Sequence, residues 1–246
     1  MEYGFVKVAS AVPTVKVADC RHNAGQMAEM IADAANQNVE IIIFPELSIT
    51  GYTCGDLFAQ SVLLEEAEKS LEWLVAETQS LPVISIVGIP HPHNGSLINA
   101  AVVFQSGKIL GVVPKTFLPN YKEFYEKRWF ASALQTPECV TSICGQRVPM
   151  QRDMLFATSN TTFGVEICED LWSTIPPSSF LSLEGAEIVF NMSADNDCVG
   201  KHSYLRNLVK QQSARCIAGY VFSSCGFGES TTDVVFAGTS IICDNG

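Results

Sequence analysis

What most limits the possible folds of this chain is a series of short, almost wholly apolar runs. They lie at residues 5–8, 39–44, 83–89, 100–104, 109–113, 162–167, 187–191, 220–223 and 234–243. Such runs suit strands covered on both faces, whereas a strand with one wet face alternates apolar and polar residues. Helical spacing separates several of them. In residues 21–37, Ala24, Met27, Ile31 and Ala34 share one face of a 3.6-residue period, and residues 62–79 repeat this with Leu63, Ala67, Leu71, Leu74 and Val75. Residues 203–214 read as a third helix, and 178–183 as a short one behind Pro176 and Pro177. The alternation predicts a layered α/β protein with a mixed sheet. Residues 114–154 and 192–201 fit no element, and long connections in compact domains are disproportionately functional.

Composition closes off other classes. With 246 residues, 47% hydrophobic and only 17% charged, the chain can bury a sizeable core and is neither disordered nor a coiled coil. A formal charge of −11 argues against binding a nucleic-acid backbone. The burst Ile41-Ile42-Ile43-Phe44 stops at Pro45, far short of the roughly 20 apolar residues that span a bilayer. The first residues lack the basic and apolar segments of a secretory leader, so no membrane partner and a cytoplasmic location are expected. The nine cysteines form no C-x-x-C pair and no metal-ligand set; most are expected to be buried thiols.

Three chemically complementary residues follow apolar runs directly. Glu46 lies in Phe44-Pro45-Glu46, Lys115 in Val113-Pro114-Lys115, and Cys168 in Ile167-Cys168-Glu169-Asp170. Open α/β sheets place ligands beyond the carboxyl ends of their strands. A thiol can attack, a carboxylate can take its proton, and a fixed cation can hold the oxyanion. Lys115, at a strand end, is expected to contribute little to the core. No histidine arrangement competes: His91 and His93 sit in the turn-like Pro90-His91-Pro92-His93-Asn94-Gly95, expected to face water, and His22 and His202 sit at helix starts.

These motifs, with Pro114-Lys115-Thr116-Phe117-Leu118-Pro119-Asn120-Tyr121, resemble the nitrilase (carbon–nitrogen hydrolase) superfamily along essentially the whole chain. Within it the chain is similar to the amino-terminal glutaminase domains of glutamine-dependent NAD synthetases. The supporting segments are Glu46-Leu47-Ser48-Ile49-Thr50-Gly51-Tyr52, the run 121–130, Cys168-Glu169-Asp170-Leu171-Trp172, Gly228-Glu229-Ser230-Thr231-Thr232-Asp233 and Phe236-Ala237-Gly238-Thr239-Ser240.

The resemblance implies a four-layer α-β-β-α sandwich with mixed sheets, formed by residues 1–246 as one glutaminase domain. It implies release of ammonia from L-glutamine through a thioester, with Cys168 as nucleophile, Glu46 as base, Lys115 as oxyanion stabiliser and Glu126 as the second glutamate beside them. Tyr52, Tyr121, Glu169, Asp195 and Lys201 fall at substrate positions, although either Glu166 or Glu169 can be a structural neighbour of Cys168. Asp195 stands where the family often has a serine, and a carboxylate there suits the α-ammonium of glutamine better than its carboxylate. No metal or organic cofactor is implied for this half-reaction; ATP and Mg belong to a synthetase domain expected outside this sequence, which reads as truncated after Gly246. A homo-oligomer is also implied. Two rival readings are a free-standing amidase, carbamoylase or nitrilase, and a catalytically silent assembly module.

Overall fold

A computed structural model of the chain describes residues 4–137 and 139–246. The first residues of the segment read for a leader, 1–3, lie outside them. The first half of the chain is built from β1 (Val8–Ser10), α1 (Cys20–Asn36), β2 (Ile41–Ile43), α2 (Ser61–Glu77), β3 (Ile84–His93), β4 (Ser96–Gln105) and β5 (Lys108–Pro114). A hairpin of β6 (Cys139–Ile143) and β7 (Gln146–Met150) follows, then β8 (Leu155–Ala157) and β9 (Thr162–Ile167). The rest comprises α3 (Glu169–Trp172), α4 (Pro177–Leu183), β10 (Ile188–Ser193), α5 (Lys201–Cys216), β11 (Gly219–Ser224) and β12 (Ser240–Asp244).

Two mixed sheets result. One has seven strands in the order β1-β2-β3-β4-β5-β7-β6, and the other has five in the order β12-β11-β10-β9-β8. Side-chain alternation explains why the strands read as apolar throughout. Ile41 and Ile43 of β2 point between the sheets, where they join Ile84, Ile86, Phe163, Val165, Ile167, Phe190 and Met192. Ile42 points the other way, into a cluster with Met27 and Ile31 of α1 and Leu71 and Leu74 of α2. The outer face of the smaller sheet buries Val189, Tyr220 and Phe222 against Leu181 of α4 and Leu205 and Val209 of α5. The order of layers is α-β-β-α, and burying apolar area on both sides of each sheet drives it.

The structure revises several expectations. The run 5–8 is strand only from Val8, and 234–239 is irregular apart from one bridge between Asn196 and Phe236. Residues 114–154 contain the β6–β7 hairpin, closed over Cys144 and Gly145 at positive φ. Its strands alternate rather than running apolar, because one face is wet. His91 does not face water. The hairpin turn is Asn94-Gly95, which puts His91 inside β3, 4% exposed, with Nε2 2.8 Å from Thr141 Oγ1. All nine cysteines are free thiols.

Candidate active site

The strand ends of the larger sheet, with the turn segment Glu126–Arg128, supply a floor of buried charge. Pro45 ends β2, and Glu46 folds back beneath the strand ends, its N–H donating to Ser193 O at the end of β10 at 3.3 Å. Gly88 of β3 makes this possible: a Cβ there would lie 2.2 Å from Leu47 N. Lys115 leaves β5 with its N–H on Asn99 O of β4 at 2.9 Å. Its Nζ then donates to Glu46 Oε1 at 2.6 Å and to Glu126 Oε1 at 2.8 Å. Asn99 Nδ2 donates to Glu46 Oε1 at 2.6 Å, and the Tyr52 hydroxyl to Glu126 Oε1 at 2.8 Å. The side chains of Glu46 and Lys115 are 0% exposed and that of Glu126 1%.

Two features of the floor bear on its chemistry. Glu46 Oε2 and Glu126 Oε2 are buried without a hydrogen-bond partner among the described residues. An ammonium carries three N–H donors, and the carboxylates use two of those on Lys115. Burial by itself lowers the Lys115 pKa, but the charges of Glu126 and Glu46 outweigh it and hold the ammonium well above its ordinary value. Burial, opposed by Lys115 and reinforced by Glu46, pushes Glu126 up to about 7.

The smaller sheet supplies the thiol. Cys168 follows β9 at φ 48 and ψ −99 and begins the short helix α3. A non-glycine residue in that region is strained, and its surroundings must hold it there. Its N–H donates to Met192 O at 2.9 Å. Asp170 braces the turn from below, accepting from Ile167 N at 2.9 Å and, on its other oxygen, from Phe117 N at 2.8 Å. One carboxylate therefore ties the cysteine turn to the segment that carries Lys115. Burial, then the charge of Glu46, raises the Cys168 thiol well above its ordinary pKa despite the opposing effect of Lys115.

Cys168 opens on a cavity of about 360 Å³ whose walls include Tyr121, Glu169, Trp172, Asp195, Asn196 and Lys201. Lys201 Nζ donates to Asp195 Oδ1 at 2.6 Å and Asn196 Oδ1 at 2.5 Å, and lies 5.1 Å from the centre of the Trp172 ring. The Tyr121 hydroxyl donates to Glu169 Oε2 at 3.0 Å. A larger cleft of about 570 Å³, lined by Leu134, Ile175 and Phe180 among others, contains none of these site residues.

Of the residues singled out in the sequence, Glu46, Lys115, Glu126 and Tyr52 form the floor, while Tyr121, Glu169, Asp195 and Lys201 share the cavity with Cys168. Tyr52 does not line that cavity; its hydroxyl is spent on Glu126. Glu166 is the structural neighbour, bonded to the Tyr220 hydroxyl and, at 2.7 Å, to Ser178 N. Sequence reasoning missed Asn99, Asn196 and the bracing role of Asp170. Asn99 stands inside an otherwise apolar run, and that break is the signal that could have found it.

Comparison with known proteins agrees with this architecture. The carbon-nitrogen hydrolase family model matches residues 7–245, and the chain belongs to that family. The glutamine-dependent NAD(+) synthetase of Mycobacterium tuberculosis is 37% identical over 248 residues, covering 100% of this chain and 36% of the relative. That of Aquifex aeolicus is 30% identical over 92% of the chain and 36% of its own length. The chain therefore spans little more than a third of these relatives. The crystal structure of the Cytophaga hutchinsonii enzyme superposes with a TM-score of 0.87 at 27% identity, over 98% of this chain and 39% of that one. An amidase from a Nesterenkonia species shares the fold at 18% identity, with a TM-score of 0.75 over 98% of this chain and 82% of its own.

Proposed function

We propose that the chain is a glutamine amidohydrolase that works through a thioester on Cys168 and supplies ammonia to an ATP-dependent synthetase domain, which amidates deamido-NAD. A carboxamide is a poor electrophile, and covalent catalysis splits its hydrolysis into two easier steps. Glu46 takes the Cys168 proton, and the sulfur adds to the carboxamide carbon. The third N–H of Lys115 stabilises the oxyanion, where a fixed donor in a dry site is worth most. Collapse breaks the C–N bond, and protonated Glu46 returns its proton to the departing ammonia. Glu46 then takes a proton from water as the hydroxyl adds to the thioester, and glutamate leaves with the thiol restored.

The observation that carries this reading is the fully buried Lys115 between two carboxylates that each keep one unpartnered oxygen. The names of the relatives support glutamine as substrate and NAD as the final product. The test is release of glutamate and ammonia from glutamine, together with mass mapping of a glutamine-like diazoketone. We expect the label on Cys168; label on Cys198, which is exposed at the same cavity, would overturn the assignment. One observation favours a second reading, an amidase for small amides lacking an α-carboxylate: Asp195 and Asn196 already hold Lys201. An ammonia assay across glutamine, asparagine, carbamoyl-amino acids and simple amides separates the two.

A further inference from the structure

The segment Gly228-Glu229-Ser230 has no place in the chemistry above, yet it is built with unusual care. Gly228 sits at φ +105 so close to Val15 that a Cβ would lie 1.8 Å from Val15 O, and Val15 N donates to Phe227 O at 3.2 Å. Two residues before it, Gly226 packs on Gly238, where a Cβ would meet Gly238 Cα at 2.9 Å. The main chain is pressed into this path, and the path delivers one carboxylate to the start of the Tyr52 segment.

Both oxygens of Glu229 are used there. Oε1 accepts from Tyr52 N at 2.7 Å; Oε2 accepts from Thr53 N at 3.0 Å and Thr53 Oγ1 at 2.5 Å. Ser230 N returns a bond to Thr53 Oγ1 at 2.8 Å. Farther along the same segment, the Phe236 ring meets the Tyr52 ring edge-on with centroids 6.0 Å apart. Tyr52 is thus held at its backbone and its ring by one strap, with its hydroxyl left on Glu126, which in turn holds Lys115.

We propose that Glu229 is a positioning residue for the active site: by clamping Tyr52 and Thr53 it fixes the Tyr52 hydroxyl on Glu126, and through Glu126 the ammonium of Lys115. This rests on the amidohydrolase reading above. The Tyr52 hydrogen bond favours the ionised form of Glu126, whose pKa burial and Glu46 already raise. Releasing Tyr52 therefore raises it further, and the acid limb of the kcat profile moves to higher pH.

The test compares Glu229→Gln, Tyr52→Phe and the double variant in the full chain, with melting curves to show that each is folded. The amide introduced by Glu229→Gln can accept on one atom only, so the clamp is lost while the side-chain volume stays. Removing a hydrogen bond to a charged group predicts a kcat about tenfold lower in each single variant, with KM within about twofold. The acid limb should shift upward in both, and the double variant should match either single one, because both act through one contact. Alkylation of Cys168 by iodoacetamide, which needs no glutamine, should slow by a common factor in all three. Wild-type kcat in Glu229→Gln, or additive losses in the double variant, would overturn the proposal. If the wild type does not hydrolyse glutamine, the amidohydrolase reading fails and the alkylation series alone decides on Glu229. Should Glu229→Gln not fold, Thr53→Val removes one of the three donors and must show the same non-additivity with Tyr52→Phe.

Discussion

The floor of the site and the wall of its cavity both pair a lysine with carboxylates, and they differ in nearly everything else. Lys115 is fully buried among strand ends of the larger sheet and bonds two carboxylates whose side chains are 0–1% exposed. Lys201 begins α5 at the edge of the cavity, and its side chain is 21% exposed against 9% for Asp195. Water screens the second pair and not the first, so the same 2.6 Å contact carries different weight in the two places. The fully buried floor is held in one geometry, whereas the partly exposed wall can change partners when a substrate arrives.

If that contrast holds, damage to the floor should be severe in both activity and stability. Lys115→Met is expected to lower turnover by about a hundredfold or more, the scale of one lost oxyanion donor. It should also destabilise the fold by about 3–5 kcal/mol, because two buried carboxylates lose their cation. A strand-end lysine read from sequence contributes little to the core; this one is among the largest fully buried side chains. Denaturant melts beside glutamate release would check both effects, and an unchanged melt would break the comparison.

Glu46→Gln should cost about a hundredfold to ten-thousandfold in turnover, the range of a lost general base. Labelling of Cys168 should slow with it, since the thiol does not ionise readily unaided. Retained labelling would show that another group takes the proton.

The wall should respond more gently. Lys201 already occupies Asp195. If Lys201 rather than Asp195 meets glutamine, Asp195→Ser should lower KM by about twofold to fivefold, the scale of one partly exposed charge interaction, with little change in kcat. A raised KM would instead assign Asp195 to the α-ammonium. A KM that stays fixed would place the α-carboxylate elsewhere.

A buried histidine outside both regions serves as a control. Burial and the neighbouring His93 lower the His91 pKa to about 4. The unfolded state binds the proton more readily between pH 6.5 and 4, so stability falls as pH drops through that window. His91→Gln should flatten that loss, about 3 kcal/mol at most, without altering turnover at neutral pH. The smallest effect is expected at Arg128, whose pair with Asp56 is exposed on both sides at 60% and 66%: Arg128→Ala should leave the melting temperature unchanged.

The layers were readable before the structure because burial on both faces of a sheet writes itself into composition: Ile41-Ile42-Ile43 is apolar since consecutive residues face opposite layers, and both layers are dry. Two floor residues and the thiol were readable because strand-ending prolines flag Glu46 and Lys115, and the turn after residues 162–167 flags Cys168. Other features were not legible. The β6–β7 hairpin was hidden by its wet face, and the burial of His91 by a turn two residues away from where the prolines suggested it. Asn99, Asp170 and Glu229 are ordinary polar residues in sequence, and each reaches a group 53 or more positions away: Glu46, Phe117 and Tyr52. Hydrophobic patterning is local and repeats along the chain, so the sequence alone determined a layered α/β protein and, to within a residue, where β2, β5 and β9 end. A hydrogen bond between distant segments leaves no such period, so only the tertiary structure decided which polar groups meet there.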